Sequence, residues 1–200
     1  FKKKLRQAAG FGSNRFSISG AAPINPKILE FFHYLDIPIY EGYGMTENTA
    51  GISINYGGSN KIGSVGKCMP FFDLKIASDG EVLIKGDNVM KGYYKNPKAT
   101  EETIIDGWLQ TGDVGRIDDD GYLFITGRKK EIYVSSSGKN VAPLVIEESM
   151  KSIPIVSQCF LVGDNRKFCS ALITLDMSVI LRDYIGIDVS EIPKDPLKQN

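Results

Sequence analysis

Tyr40-Glu41-Gly42-Tyr43-Gly44-Met45-Thr46-Glu47-Asn48 gathers aromatic faces, two glycines, a hydroxyl and two carboxylates into one short stretch. Ile37 to Tyr40 reads as a short apolar strand, and the glycines after it permit backbone conformations and close approaches that a Cβ would block. As a turn leaving that strand, the stretch suits a nucleotide. Tyr43 offers a flat face for a base, Thr46 a hydroxyl for a phosphate oxygen, and Glu47 a hard oxygen for Mg²⁺ shared with phosphates. A Gly-rich turn carrying an incidental acid fits the same residues equally well. A dinucleotide fingerprint does not, because the third glycine of Gly-x-Gly-x-x-Gly would fall on Glu47.

Upstream, Phe16 to Ser19 alternates like a strand and delivers Gly20-Ala21-Ala22-Pro23 as a turn of small residues. Asn25-Pro26 supplies an N-cap and a first helical residue, and Ile28, Leu29, Phe31, Phe32 and Leu35 form an apolar helical face. His33, the only histidine, sits among those apolar residues and reads as packed or surface, not catalytic. Strand, turn, helix, strand, turn is an α/β pattern. In open sheets of that kind ligands sit beyond the carboxyl ends of strands, where both turns fall.

After Tyr56-Gly57-Gly58-Ser59-Asn60 the character changes. Asp73 to Ile76 and Glu81 to Lys85 are strands joined by Ser78-Asp79-Gly80, a hairpin signal. Asn96-Pro97 starts a short helix using Ala99, Thr100, Glu101, Glu102 and Ile104. Trp108 to Gln110, Val114 to Ile117 and Tyr122 to Thr126 are three further short strands, so residues 59–126 predict a small β-barrel-like subdomain. Asp118-Asp119-Asp120-Gly121 lacks the spacing of a calcium loop and reads as a charged hairpin turn. From Gly127 a second domain begins, with a strand at Ile132 to Val134 and a flexible loop Ser135-Ser136-Ser137-Gly138. A helix from Pro143 to Met150 follows, then strands Gln158 to Val162 and Phe168 to Leu175 around the turn Gly163 to Lys167. That order is a small α+β unit, and the last twenty or so residues close no element.

At 200 residues with 42% hydrophobic content the chain has the composition of a core-forming globular protein. Lys plus Arg equals Asp plus Glu at 24 each, so no global field draws it to nucleic acid or an anionic membrane. The one basic cluster, Lys2-Lys3-Lys4-Leu5-Arg6, reads as a solvated tail able at most to meet phosphate or lipid head groups. Cys68, Cys159 and Cys169 are odd in number and widely spaced, which argues for thiols in a cytoplasmic setting and against zinc or a disulfide framework. No apolar run approaches the ~20 residues of a membrane span. The chain begins at Phe1 without a methionine, which suggests a piece of a longer protein.

Two further motifs carry chemistry. In Gly107-Trp108-Leu109-Gln110-Thr111-Gly112-Asp113 the acid ends a strand after two small residues, where a carboxylate can accept from two adjacent ribose hydroxyls. Gly127-Arg128-Lys129-Lys130-Glu131 opens the linker. Taken singly, Asp113 fits a solvated turn, Arg128 an interdomain salt bridge, and Lys129-Lys130 an exposed basic pair. With the Tyr40 stretch and Ser19-Gly20-Ala21-Ala22-Pro23, these motifs stand in an order that resembles the adenylate-forming superfamily of acyl-CoA synthetases, luciferases and peptide-synthetase adenylation domains. The resemblance covers nearly the whole chain. It implies that Gly20, Ala21, Ala22 and Pro23 line the adenine, that Glu41, Gly42, Tyr43 and Gly44 form the nucleotide wall with Tyr43 stacking, and that Thr46 meets phosphate. It also implies that Glu47 binds magnesium, Asp113 the ribose and Arg128 the nucleotide, and that Lys130 is the hinge about which a C-terminal domain swings. Gly138 resembles the segment that enters the site for thioester formation.

Gly86 to Tyr94, Gly127 to Glu131 and Leu161 to Phe168 resemble the long-chain and bubblegum-type synthetases in particular. The implied activity is an ATP- and Mg²⁺-dependent fatty acid:CoA ligase acting through an acyl-adenylate, with fatty acid, ATP and coenzyme A as partners, no nucleic acid, and any membrane association peripheral. Residues 1–126 then belong to the large domain, with 1–58 its α/β portion, 127–131 to the hinge, and 132–200 to the start of the mobile domain. Where long-chain members show Gly-Gly-Glu-Asn, this chain has Ser137-Gly138-Lys139-Asn140, a departure that bears on the pantetheine channel. The phosphate loop is expected upstream of Phe1 and the catalytic lysine downstream of Asn200, so this stretch alone is expected to bind nucleotide weakly and not to complete adenylation. An adenylating domain that loads a carrier protein, or a degenerate nucleotide-binding module, are the alternatives.

Overall fold

The computed structural model describes residues 1–135, 138–164 and 166–187. The chain divides into two compact units, the first Phe1–Glu131 and the second beginning at Ile132. The first opens with helix α1 (Lys2–Ala8), so the basic cluster is helical where a tail was expected. Its Lys, Leu, Arg, Gln and Ala residues are all good helix formers.

Strand β1 (Ser17–Ser19), helix α2 (Pro26–Tyr34) and strand β2 (Ile39–Tyr43) form the α/β piece. The Asn25 side chain accepts from the Lys27 N–H at 2.9 Å and Pro26 takes the first helical position, which sets the helix start. Leu29 of α2 is buried. β1 and β2 run parallel, with Ser19 opposite Glu41, and β2 continues through Tyr43. Glu41, Gly42 and Tyr43 therefore lie in a strand, not in the turn expected for them. Pairing with the next strand extends β2: β3 (Ser53–Ile54) runs antiparallel to it and β4 (Lys67–Cys68) antiparallel to β3.

The second sheet is antiparallel and contains β5 (Asp73–Ile76), β6 (Glu81–Lys85), β7 (Ile104–Ile105), β8 (Trp108–Ile117) and β9 (Leu123–Arg128). Helix α3 (Pro97–Thr103) precedes β7, its start capped by Asn96, which accepts from the Ala99 N–H at 3.2 Å. Ile104 pairs with Leu109 and packs on the core, which draws this β-branched residue out of the helix and into β7. β8 is a single ten-residue strand where two were expected. It passes through Gly112 at φ +72°, a conformation that a side-chain-bearing residue adopts only at a cost. At the far end, Asp118 to Gly121 form the β8–β9 hairpin turn, with Lys61 bridging Asp118 and Asp120 at 2.6 and 2.8 Å.

The two sheets meet where the Val65 N–H donates to the Leu123 carbonyl and the Leu123 N–H to the Gly66 carbonyl, both at 2.9 Å. Among the described residues the second sheet runs β5-β6-β8-β7 with β9 branching from β8, and the pairings close no ring. Both sheets feed one core: Ile52, Val82, Ile84, Leu109 and Leu123 are buried, with Tyr43, Met45, Val65 and Val89 packed against them. Burying each such aliphatic side chain stabilises the unit by about 1.5–3 kcal/mol.

The second unit holds β10 (Tyr133–Val134) antiparallel to β11 (Asn140–Val141), helix α4 (Pro143–Lys151), and the hairpin of β12 (Val156–Val162) with β13 (Ser170–Leu175). Glu147 of α4 accepts the Leu161 N–H at 2.7 Å and ties helix to hairpin, and Tyr133, Cys159 and Leu161 are buried in this unit. Ser136 and Ser137 of the expected loop, Asn165 of the expected turn and the segment from Asp188 lie outside the described residues. No helix among the described residues is long and apolar enough to cross a membrane.

Candidate nucleotide site

The parallel register of β1 and β2 delivers the turn Gly20 to Pro23 beside Glu41. Gly20 approaches closely enough that a Cβ there would lie 3.4 Å from the Gly42 carbonyl. Ala21 holds a left-handed φ of +66°. The Glu41 carboxylate accepts the Ile24 N–H at 3.3 Å and so staples the end of this turn to β2. Burial pushes the Glu41 carboxyl above its ordinary range, and the Ile24 hydrogen bond offsets part of that.

At the end of β2, Tyr43 reaches across to β8. Its hydroxyl donates to Asp113 Oδ2 at 2.6 Å, joining residues seventy apart in sequence. The Arg128 Nε sits 3.1 Å from Asp113 Oδ1. Asp113 pairs with Arg128 in the β8–β9 register, so sheet geometry brings the acid and the guanidinium together. The Asp113 side chain is only 7% exposed while Arg128 is 61% exposed. The result is a buried carboxylate at the foot of an open guanidinium, whose contact with Asp113 uses one of five donors. Each carboxylate oxygen accepts more than one hydrogen bond, so Asp113 keeps acceptor capacity for a diol. Burial, then the adjoining carboxylate, pushes the Tyr43 phenol upward, so it stays protonated and a donor.

Asp113 is held from behind by Glu81, which sequence reasoning did not single out, together with Lys129 and Asp79. Glu81, 5% exposed, accepts the Gly112 N–H at 2.8 Å through Oε1 and the Lys129 ammonium at 2.7 Å through Oε2. Lys129 also reaches Asp79 at 2.6 Å, and its backbone N–H donates to the Gly112 carbonyl at 2.8 Å. Hydrogen bonding to Asp79, then to Glu81, raises the Lys129 ammonium, and the bond from Lys129, then the Glu81 N–H, lowers the Asp79 carboxyl. The linker is thus bound to the first unit through Lys129, and Lys130 is the exposed residue that follows.

Thr46, Glu47 and Asn48 form a single helical turn after β2. Gly44 is required just before it, because a Cβ there would collide with the Ala50 carbonyl. Thr46 is exposed and Glu47 half-buried, with the Tyr93 hydroxyl donating to Glu47 Oε1 at 2.9 Å. That hydrogen bond raises the Tyr93 phenol. Among the described residues no group of three or more His, Cys, Asp or Glu could hold a metal by itself. A single half-buried carboxylate fits Mg²⁺ held jointly with phosphate oxygens, the mode in which that ion is commonly bound. Gly138 belongs to the second unit, at φ +77° with its N–H donating to the Ser135 carbonyl at 2.8 Å. The first unit therefore brings together Gly20 to Pro23 with Glu41, Tyr43 with Asp113 and Arg128, and Glu47 with Tyr93. Tyr93, Asn88 and Glu81 carried no chemical signature of their own, although Gly86 to Tyr94 is one of the motifs behind the resemblance, and Lys129 read as one of an exposed basic pair.

Comparison with known proteins bears on this arrangement. Residues 1–94 match the family model described as AMP-binding enzyme, and residues 130–183 match the AMP-binding enzyme C-terminal domain. The chain is similar to the long-chain-fatty-acid–CoA ligase FadD15 of Mycobacterium bovis, 48% identical over 174 residues that cover 87% of this chain and 29% of that protein. It is 40% identical to the long-chain-fatty-acid–CoA ligase ACSBG1 of Rattus norvegicus, covering 86% of this chain and 25% of that protein. The chain thus spans under a third of the length of these curated relatives. Among solved structures, O-succinylbenzoate coenzyme A synthetase (MenE) from Bacillus subtilis in complex with AMP aligns at a TM-score of 0.73 and 30% identity, over 81% of this chain and 36% of that one. The same synthetase with ATP and magnesium ion aligns at 0.72 and 28% identity, over 90% and 42%.

Proposed function

The chain belongs to the AMP-binding enzyme family, the adenylate-forming enzymes, and from that premise we propose that it forms part of a long-chain fatty acid:CoA ligase. The observation that carries this is the junction of Tyr43, Asp113 and Arg128, a buried carboxylate with a retained donor and an exposed guanidinium beside it. In the reaction a fatty carboxylate oxygen attacks the α-phosphorus of ATP, the bond to the β-phosphate oxygen breaks, and pyrophosphate leaves. The CoA thiol then gives up its proton, attacks the acyl carbonyl and displaces AMP. Asp113 accepts from the ribose hydroxyls, with Tyr43 and Arg128 fixing its orientation. The face of Tyr43 and the turn Gly20 to Pro23 line the base, Thr46 contacts phosphate, and Arg128 supplies positive charge to the nucleotide. Holding reactants in line and neutralising charge is most of what such a transfer asks of a protein. Mg²⁺, when bound at Glu47, neutralises phosphate charge.

Lys130 serves as the hinge residue in this reading. Lys129 is tied to Glu81 and Asp79, so torsional freedom begins after it, and a hinge needs such freedom, not a particular side-chain chemistry. The second unit, with Gly138, then supplies the thioester step. The enzyme works in the cytosol, where Cys68, Cys159 and Cys169 remain thiols. Membrane association, where it occurs, is peripheral. With its formal charges in balance, the chain has no nucleic-acid partner.

The test is AMP formation by the enzyme that contains this chain, with ATP, Mg²⁺ and CoA across fatty acids of increasing length. AMP is expected only with fatty acid and CoA together, rising toward long chains. AMP released at the same rate with and without CoA would move the acceptor to a carrier protein, and no AMP with any acid would leave a binding module.

A further inference from the structure

We propose that residues Asn88 to Tyr93 act as a strap that sets the Thr46–Asn48 turn, with Tyr93 positioning the Glu47 carboxylate for its metal. This rests on the reading of Glu47 as the magnesium ligand. The turn needs external support on geometric grounds. It closes in Thr49 at φ +60° and Ala50 at φ +80°, two consecutive left-handed residues of which neither is glycine and one is β-branched. Such a pair persists where the surroundings determine it.

Four contacts from one downstream segment do so. The Asn88 amide donates to the Asn48 carbonyl at 2.6 Å, the Met90 N–H to the Glu47 carbonyl at 2.7 Å, and the Thr49 hydroxyl to the Asn88 carbonyl at 2.8 Å. These bind consecutive residues of the turn, and Asn48 itself is 0% exposed, its Oδ1 accepting the Met45 N–H at 3.1 Å. The fourth contact is chemical as well as structural. The Tyr93 hydroxyl holds Glu47 Oε1 at 2.9 Å, which restrains the carboxylate and leaves Oε2 as the oxygen for a cation. A hydrogen bond from an outer group fixes a ligand's orientation and its basicity, and removing such a group weakens metal affinity 10- to 100-fold. Val89 packs against the buried core between these anchors, so the strap is seated on the sheet and not free in solvent.

The test uses the enzyme containing this chain and Mn²⁺ as a paramagnetic probe, titrated with a non-hydrolysable ATP analogue and read by water-proton relaxation. Tyr93→Phe keeps the ring and removes the hydroxyl. It is expected to weaken Mn²⁺ binding about 10-fold or more, with metal-free AMP binding and melting temperature unchanged. Asn88→Asp, which removes the amide donor, is expected to weaken the metal in the same direction. Unchanged Mn²⁺ affinity in both variants, with Glu47→Gln still weakening it, overturns the strap while sparing Glu47. Tighter Mn²⁺ binding in Tyr93→Phe also overturns it, since the hydroxyl would then compete with the metal. No effect from Glu47→Gln removes the metal assignment and the strap with it.

Discussion

Asp113 and Glu47 are both carboxylates of the first unit, but they are held by different means. Asp113 lies in a ten-residue strand, is buried, and has both oxygens engaged, by Tyr43 and Arg128. Its place follows from the pairing of β8 with β9 and from the Glu81 contact behind Gly112. Glu47 stands half-buried on a three-residue turn whose conformation is set by glycine, two left-handed residues and a strap from forty residues downstream. The contrast teaches that a group placed by sheet register can lose its own contacts without the backbone moving. A group placed by a turn depends on neighbours that do no chemistry.

The largest effect that would break this contrast belongs to Gly44. Gly44→Ala drives a Cβ into the Ala50 carbonyl, and the turn cannot re-form around it. A destabilisation on the order of 3 kcal/mol or more is expected in denaturant titration, in the class of changes that strain a buried backbone. A midpoint within error of the parent would mean that the turn yields freely.

Asp113→Ala should act oppositely, sparing the fold and striking the nucleotide. Charge-assisted hydrogen bonds are worth about 1.5–3 kcal/mol each, so kcat/KM for ATP is expected to fall roughly 100-fold, with the melting temperature lowered by a few degrees at most.

The smallest effect sharpens the region between the two. Burial holds the Glu41 carboxyl above its ordinary 4.5, so the native state keeps that proton more tightly than the unfolded chain. Stability from this group is therefore full below the ordinary value and declines as pH rises through the interval up to the raised one. Glu41→Gln cannot ionise and escapes that decline. The variant should match the parent in thermal melts at acid pH and exceed it at pH 7, and a parent that is the more stable at pH 7 would contradict the burial argument.

Much of the architecture was legible where local chemistry decides it. Asn25-Pro26 and Asn96-Pro97 start helices through side-chain caps, and Asp79-Gly80 turns the β5–β6 hairpin, all on short-range rules. Reading failed where a distant partner decides. Glu41 to Tyr43 look like a turn until β1 and β3 pair with them. Gly112 looks like a break until Glu81 accepts its N–H, and Ile104 looks helical until Leu109 draws it into the sheet. The site residues named from their motifs were chemically conspicuous: a Gly-flanked tyrosine, an acid after Thr-Gly, an arginine opening a linker. That Tyr43 would touch Asp113 across seventy residues was invisible to any local rule, and so was Tyr93, an ordinary aromatic whose meaning lies in Glu47.

The central claim is that Asp113 grips the ribose. The direct measurement is the discrimination between ATP and 2′,3′-dideoxy-ATP, as a ratio of kcat/KM values, in the enzyme containing this chain and in its Asp113→Ala variant. The account predicts that the parent strongly prefers ATP and that the variant loses most of that preference, because the group that reads the diol is gone. An Asp113→Ala enzyme that discriminates as strongly as its parent would contradict it.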